Sequence, residues 1–248
     1  MVKIAAIIPA RYHSTRFQGK PLVTIKGIPM IQRVYWQVER SNRFSPADII
    51  VATDDQRIAS VVKSFGGNVV ITSPYHQSGS ERLWEVLERR DFAAAVNIQG
   101  DEPIISETLV SNLYDELETC QYDVVTPGYF NTSYEDYLSR NVVKVVVDKD
   151  FQALYFSRSP IPFVEQRHFE GFYQHIGMYG YLKEALKRFV NLPKSQLETR
   201  EKLEQLRFLE NGIKVKVLIT PYKSMGVDVP EDIIKVEKIL QEKEHDNQ

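Results

Sequence analysis

Val2 to Pro9 is an apolar, largely β-branched run without polar alternation. A strand wet on one face alternates polar and apolar residues, so this run predicts a strand buried on both faces, as in a parallel sheet covered by helices. Ile49 to Ala52, Val69 to Ile71 and Ala93 to Ile98 repeat the pattern. Between them lie segments of helical periodicity. Pro29 to Arg40 opens with proline and spaces Ile31, Val34, Tyr35 and Val38 along one face, and Arg57 to Phe65 is stopped by Gly66-Gly67. Ser78 or Ser80 can cap a further helix running to about Arg89, because a serine hydroxyl accepts from a first-turn amide. Strand-then-helix units in this succession predict an α/β fold with a doubly wound, mostly parallel sheet, whose ligand sites form outside the carboxyl ends of the strands.

The second half changes character. Val142 to Val147 and Ala153 to Phe156 flank Asp148-Lys149-Asp150 as a hairpin would, and His175 to Tyr181 reads as one further strand. Helices are expected over Tyr181 to Val190, Glu198 to Leu209 and Pro230 to Leu240, with a strand from Ile213 to Ile219. The polar residues Gln241 to Gln248 are expected to fray. No repeat or long linker divides the chain, so its organisation reads as one α/β domain over residues 1–240 with a polar tail at 241–248.

Composition removes several function classes. Lysine and arginine total 31 against 33 aspartates and glutamates, a formal charge of -2 that offers no basic surface to nucleic acid. Cys120 is the only cysteine, which excludes an intramolecular disulfide and a cysteine-rich metal centre. Its place after Leu117, at a helix-to-strand junction, reads as a helix-end or core residue rather than a nucleophile. Met1 to Pro9 is too short for the apolar core of a signal peptide, and no stretch approaches the length of a spanning helix. The expectation is a cytoplasmic protein without stable membrane insertion.

Three strand-end loops can carry chemistry. In Pro9 to Lys20, the cations Arg11, Arg16 and Lys20 combine with Ser14, Thr15 and Gly19, which suits phosphate oxygens. The loop fits neither a dinucleotide fingerprint nor a P-loop motif. In Gln99-Gly100-Asp101-Glu102-Pro103, Asp101 can hold a hard divalent cation, Gln99 can pair with a base or ribose, and Gly100 lets a ligand approach the backbone. An acidic turn ahead of a helix is the other reading of that segment. Asp228, in Gly226-Val227-Asp228-Val229-Pro230, reads alone as a helix N-cap, yet two strand-end aspartates can converge on one magnesium ion. His76 to Arg82 leads into a helix whose first amides, near Ser78, favour an anion, with Arg82 within reach of a nucleotide. Arg158 and His175 stand among apolar neighbours, as structural residues or as contacts for an acid or hydroxyl group.

Together these segments resemble the 3-deoxy-manno-octulosonate (Kdo) cytidylyltransferases, or CMP-Kdo synthetases, over roughly residues 3–240. The resemblance is carried by the Pro9 to Lys20 loop, Ser78 to Arg82, Gln99 to Pro103, Ala153 to Pro162, His175 to Tyr179, Leu203-Glu204-Gln205-Leu206-Arg207 and Gly226-Val227-Asp228. It implies a nucleotide-diphospho-sugar-transferase-like fold and a commonly dimeric enzyme that uses CTP and magnesium and releases pyrophosphate, in lipopolysaccharide biosynthesis. A nucleotide half would run to about Tyr129, with a smaller sugar-binding and subunit-contact part beyond. By the same resemblance Arg11, Ser14, Arg16 and Lys20 meet the triphosphate, Gln99 and Arg82 the cytidine, and Asp101 with Asp228 the metal. Arg158, His175 and Glu201 would face the sugar acid, and Glu198, three residues before Glu201 on the expected helix, can share its face.

Gln174 stands where the family commonly has a cation, and Leu197-Glu198-Thr199-Arg200 departs from the usual Leu-Glu-Gln or Leu-Glu-His. The family includes relatives acting on the 8-amino analogue, and losing a cation removes one repulsion toward an ammonium. A non-catalytic sugar-nucleotide sensor is the alternative of another class. It would not need both Asp101 and Asp228.

Overall fold

The computed structural model describes residues 2–13 and 17–246. In β1 (Ile4–Ala10) the absence of polar residues has a direct cause. Ile4, Ala6, Ile8 and Ala10 enter one hydrophobic cluster, while Ala5 and Ile7 enter a second on the opposite face of the sheet. The chain continues through a small hairpin, β2 (Thr24–Ile25) and β3 (Ile28–Pro29), into α1 (Met30–Arg40), β4 (Ile49–Thr53), α2 (Gln56–Ser64) and β5 (Asn68–Ile71). It then returns through α3 (Gly79–Glu88) to β6 (Ala94–Asn97). The strand order β5-β4-β1-β6 is parallel throughout, and the winding reverses between β1 and β6. In such a sheet that reversal opens a crevice at the strands' carboxyl ends.

After α4 (Glu107–Glu118) the sheet becomes mixed. It contains β7 (Val124–Asn131), followed by α5 (Tyr134–Leu138), then the hairpin β8 (Lys144–Val147) and β9 (Ala153–Ser157), which pairs antiparallel as expected. The strand expected over His175 to Tyr181 is two strands, β10 (Phe172–His175) and β11 (Tyr179–Leu182). The break has a specific cause. The Ile176 amide bonds to Pro127, the Met178 amide turns back onto the Ile176 carbonyl, and the Thr126 hydroxyl reaches the Met178 carbonyl at 2.7 Å. The chain thereby changes neighbours, from β7 and β8 to β6 and β7. α6 (Lys183–Asn191) follows, and β12 (Val215–Thr220) closes the sheet parallel to β7.

The helix expected over Glu198 to Leu209 is likewise divided, into α7 (Gln196–Glu201) and α8 (Leu206–Glu210), by Lys202 in the left-handed region at φ 55°. α9 (Glu231–Asp246) extends into the polar tail. Cys120 takes a left-handed conformation, φ 54°, just past α4 and is exposed, so it is a helix-end residue and not a core one.

Glu198 lies inside the fold. Its two carboxylate oxygens accept from Arg207 Nη2 at 2.6 Å and Nε at 2.7 Å, and the second also takes the Ser195 amide in a capping box. Burial opposes ionisation, but Arg207 holds the carboxyl below its ordinary value. With both oxygens taken, the carboxylate ties α7 to α8, and the residue also lines a cavity of about 380 Å³ with Ser78, Lys202 and Glu204. Glu198→Ala leaves a buried guanidinium unpaired and is expected to cost about 3–5 kcal/mol. The fall in the urea-unfolding midpoint measures it, and an unchanged midpoint would return Glu198 to a binding role.

Candidate active site

A cavity of about 480 Å³ opens at the carboxyl ends of β1 and β6, where the winding reverses. Arg11, Lys20, Ser78, Gln99 and Asp101 are among its walls. The loop after β1 is closed by the Gly19 amide bonding to the Tyr12 carbonyl, with Gly19 at φ 70°, a conformation that favours glycine. This turn delivers Lys20 to the cavity. Ser14 and Arg16, with Thr15, lie outside the described residues.

Lys20 Nζ stands 2.5 Å from Asp101 Oδ2 and 3.7 Å from Asp228 Oδ1. The two aspartates come from loops 127 positions apart by their residue numbers, Asp101 and Asp228. The Val227 amide donates to the Asp101 carbonyl at 2.9 Å, so the second loop is hydrogen-bonded onto the first. Two carboxylates facing one positive charge form a hard-oxygen donor set. That set fits magnesium, which takes one or two protein carboxylates and completes its shell with phosphates and water. Among the described residues no three His, Cys, Asp or Glu side chains gather to hold a metal by themselves.

Gly100 lines the cavity, and its lack of a side chain also serves the packing of two loops. A Cβ there would lie 2.8 Å from the Pro9 carbonyl, so the missing side chain lets the β6 loop pack on β1. Ser78 caps α3 by accepting the Glu81 amide, and the start of α3 forms one wall of the cavity. Aligned amides at such a helix start favour an anion. Gln99 reaches across to donate to the Gly177 carbonyl at 3.0 Å.

Arg82 is not a wall of this cavity. It is fully buried, and its guanidinium donates to Thr72 and to Asp54 Oδ2, the latter at 2.9 Å. Its charge still acts at the surface above. Burial, then repulsion from Arg82, lowers the pKa of Arg11. Glu102 is buried beside Asp101 and hydrogen-bonded by Ser224 Oγ at 2.5 Å. Burial, reinforced by Asp101, raises its pKa to about 7.

The other expected contacts form a second group, at the β8–β9–β10 corner. Glu201 accepts from Ser157 Oγ at 2.7 Å and from the Arg158 amide at 2.9 Å. The Arg158 guanidinium donates to the carbonyls of Glu201 and Arg140. Buried Lys144 fastens the same corner by donating to the carbonyls of Ser139, Val142 and Arg158. Gln174 accepts from Asn131 Nδ2 at 2.8 Å, so its amide oxygen is engaged in the β7–β10 ladder.

Sequence reasoning gave Glu204 no role. The structure bonds it to Ser80 Oγ at 2.6 Å, and burial raises its pKa. With Gln77, Ser78 and Lys202 it lines a second cavity of about 380 Å³, which shares Gln77 and Ser78 with the first. The signal was the Leu203 to Arg207 motif itself, in which Glu204 is the one acidic residue.

His175 is buried against the rings of Phe156 and Tyr179, with Nε2 2.9 Å from Thr126 Oγ1. That hydroxyl spends its one proton on the Met178 carbonyl, so the imidazole donates and the threonine oxygen accepts. Burial pushes the His175 pKa from 6.5 down to about 3. A neutral ring supplies hydrogen bonds but no charge for an acid.

Comparison with known proteins adds an independent line. The family model described as Cytidylyltransferase matches residues 5–217. The chain is 45% identical to the 3-deoxy-manno-octulosonate cytidylyltransferase of Thermodesulfovibrio yellowstonii, over 94% of this chain and 96% of that protein. Its identity to the protein of the same name from Syntrophobacter fumaroxidans is 46%, over 96% and 97% of the two chains. The solved structure of CMP:2-keto-3-deoxy-manno-octonic acid synthetase complexed with CTP aligns at TM-score 0.92 and 36% identity, covering 97% of this chain and 99% of that one. A 4-diphosphocytidyl-2C-methyl-D-erythritol synthase from Anaerococcus prevotii, at TM-score 0.64 and 19% identity, covers 97% and 99% of the two chains and shares the fold.

The buried histidine predicts a pH dependence. Unfolded His175 takes up a proton near 6.5 and the folded residue only near 3, so the unfolded state binds more protons in that window and stability falls as pH drops through it. Relative to His175→Gln, the wild type should lose about 1.4 kcal/mol per pH unit below its unfolded pKa. Glu102 has the opposite sense, since its folded pKa of about 7 lies above its ordinary 4.5, but it is common to both proteins and cancels. Urea midpoints of the pair between about pH 7.5 and pH 5 read this out. A difference that stays constant with pH would mean that His175 titrates normally.

Proposed function

The chain belongs to the 3-deoxy-manno-octulosonate cytidylyltransferase family, and on that premise we propose that it transfers CMP from CTP to the anomeric hydroxyl of Kdo, releasing pyrophosphate, as a step toward lipopolysaccharide. The observation that carries this reading is the meeting of Lys20, Asp101 and Asp228 at the cavity where the winding reverses. A sensor that only bound a sugar nucleotide would have no need of a convergent carboxylate pair.

The chemistry asks for position and charge compensation. The anomeric oxygen forms its bond to the α-phosphorus as the bond to the pyrophosphate oxygen breaks, and the hydroxyl proton leaves to solvent. Arg11, Lys20 and the start of α3 offset the triphosphate charge, to which the family resemblance adds Ser14 and Arg16. Asp101 and Asp228 would hold the magnesium ion, which would reduce repulsion between the anionic reactants. Gln99, bonded across to Gly177, stands where the base or ribose and the acceptor meet. The family resemblance assigns Arg158 to the sugar carboxylate; Nε and Nη1 of its guanidinium donate to the carbonyls of Glu201 and Arg140.

We assign the protein to the cytoplasm, where its nucleotide substrate is made; no helix among the described residues is long and apolar enough to cross a membrane. A homodimer forms through β9, the last strand in the sheet order, where Leu154 is 58% exposed. A single-chain mass by light scattering would overturn this assembly.

Purified protein with CTP, magnesium and Kdo is expected to release pyrophosphate, and Asp101→Asn or Asp228→Asn to lower kcat by about a hundredfold or more. Folded variants with unchanged turnover would sink the assignment of the pair. The 8-amino analogue is compared in the same assay through kcat/KM, because it differs from Kdo only at the far end of the sugar. A preference for the analogue would replace Kdo as acceptor and leave the cytidylyl transfer in place.

A further inference from the structure

Asp228 is carried by a segment without regular structure, between the end of β12 and the start of α9. Something else must fix its carboxylate opposite Asp101, because a loose loop would sacrifice conformational entropy each time it closed on a ligand. Three ties do so. The Val227 amide bonds to the Asp101 carbonyl at 2.9 Å, and the Val227 side chain is buried with Ile25, Met30 and Val236. The third is the Ser224 hydroxyl, which donates to Glu102 Oε2 at 2.5 Å from 122 residues away in sequence.

The third tie is the unusual one. Glu102 is 8% exposed, and burying a carboxyl costs free energy that an apolar side chain of similar volume would avoid. The position is nevertheless glutamate, next in sequence to Asp101, with its carboxyl turned to the other loop. Gly226 passes close by, since a Cβ on it would lie 3.8 Å from the Asp101 carbonyl and 4.0 Å from Glu102 Cγ.

We propose that Glu102 is a positioning residue which, through Ser224, clasps the segment from Ser224 to Asp228 onto the Asp101 loop and so sets the spacing of the two carboxylates for a divalent cation. This rests on the reading of Asp101 and Asp228 as the cation pair. Glu102 itself touches neither cation nor nucleotide. It acts by holding a loop.

The test uses Mn²⁺ as the probe, with the free ion counted by electron paramagnetic resonance while it is titrated into the full-length protein and CTP. Glu102→Ala and Ser224→Ala are each expected to weaken Mn²⁺ binding about tenfold, and the double variant to do no worse than either single one, because both remove the same bond. Glu102→Gln keeps an acceptor for Ser224 and should stay within about threefold of wild type. Asp101→Asn and Asp228→Asn are measured alongside. If these leave Mn²⁺ binding unchanged, the reading of the pair is wrong. If they weaken it while the Glu102 and Ser224 variants do not, or if the two alanine effects add, the clasp is wrong. Should Glu102→Ala fail to fold, Ser224→Ala decides alone, since it removes one half-buried hydroxyl.

Discussion

The carbonyl of Pro9 and the α-carbon of Gly100 approach so closely that a Cβ at residue 100 would lie 2.8 Å from the oxygen. That approach continues the parallel pairing of β1 with β6, whose last rung is the Ile98 amide on the Ile7 carbonyl. It makes the loops after the two strands leave the sheet side by side. Lys20 can then reach Asp101 across a gap that no other pair of neighbouring strands would offer, because only here does the winding reverse and leave the crevice uncovered. The Asp228 segment docks onto the loop already so placed, through the Asp101 carbonyl.

Several cations in the motifs serve this scaffold from inside the protein. Arg82 joins the ends of β4 and β5 through Asp54 and Thr72, Lys144 gathers three carbonyls around the β8–β9 corner, and Arg207 binds α7 to α8 through Glu198. Each buried charge finds carboxylates or carbonyls that offset its desolvation, and removing those partners would strand it. Such residues look in sequence like ligand contacts, since both roles need a long cation next to a strand or helix end. The difference lies in whether the guanidinium or ammonium meets protein oxygens or open space, and that is a property of the folded chain.

The parallel half was legible because β1, β4 and β6 are buried on both faces, whereas the edge strand β5 is half-exposed. Val2 to Pro9 and Ile49 to Ala52 could be read directly from unbroken apolar runs, and Ser78 could be read as a cap. The mixed half resisted for local reasons. Nothing in His175 to Tyr181 signals that Thr126, on another strand, captures the Met178 carbonyl and splits the run, and nothing in Glu198 to Leu209 marks Lys202 as left-handed. At the site, strand-end placement suggested that Asp101 and Asp228 can converge, whereas the position of Lys20 beside both carboxylates depends on the folded loops. Helical spacing put Glu198 and Glu201 on one face, whereas the fold turns the Glu198 carboxylate onto Arg207 and that of Glu201 onto Ser157.

The join between the halves explains why the acceptor side had to be antiparallel. β11 lies between β6 and β7 and runs against both, so the turn just before it, at Gly177, arrives at the carboxyl end of β6, where Gln99 donates to it. A parallel strand in that place would present its other end. Below the turn, Glu204 reaches Ser80 at the start of α3, beside the buried Asn97 and Tyr181. These polar contacts add to an apolar layer that the two halves share, in which Ala5, Ile7 and Ala95 pack in one cluster with Tyr181, Phe208 and Val217. Polar seams of this kind demand one register, because a slip would leave Ser80, Glu204 and Gln99 without their partners. The same contacts that align the two halves therefore fix the separation between the groups that would hold the triphosphate and those that would hold the acceptor.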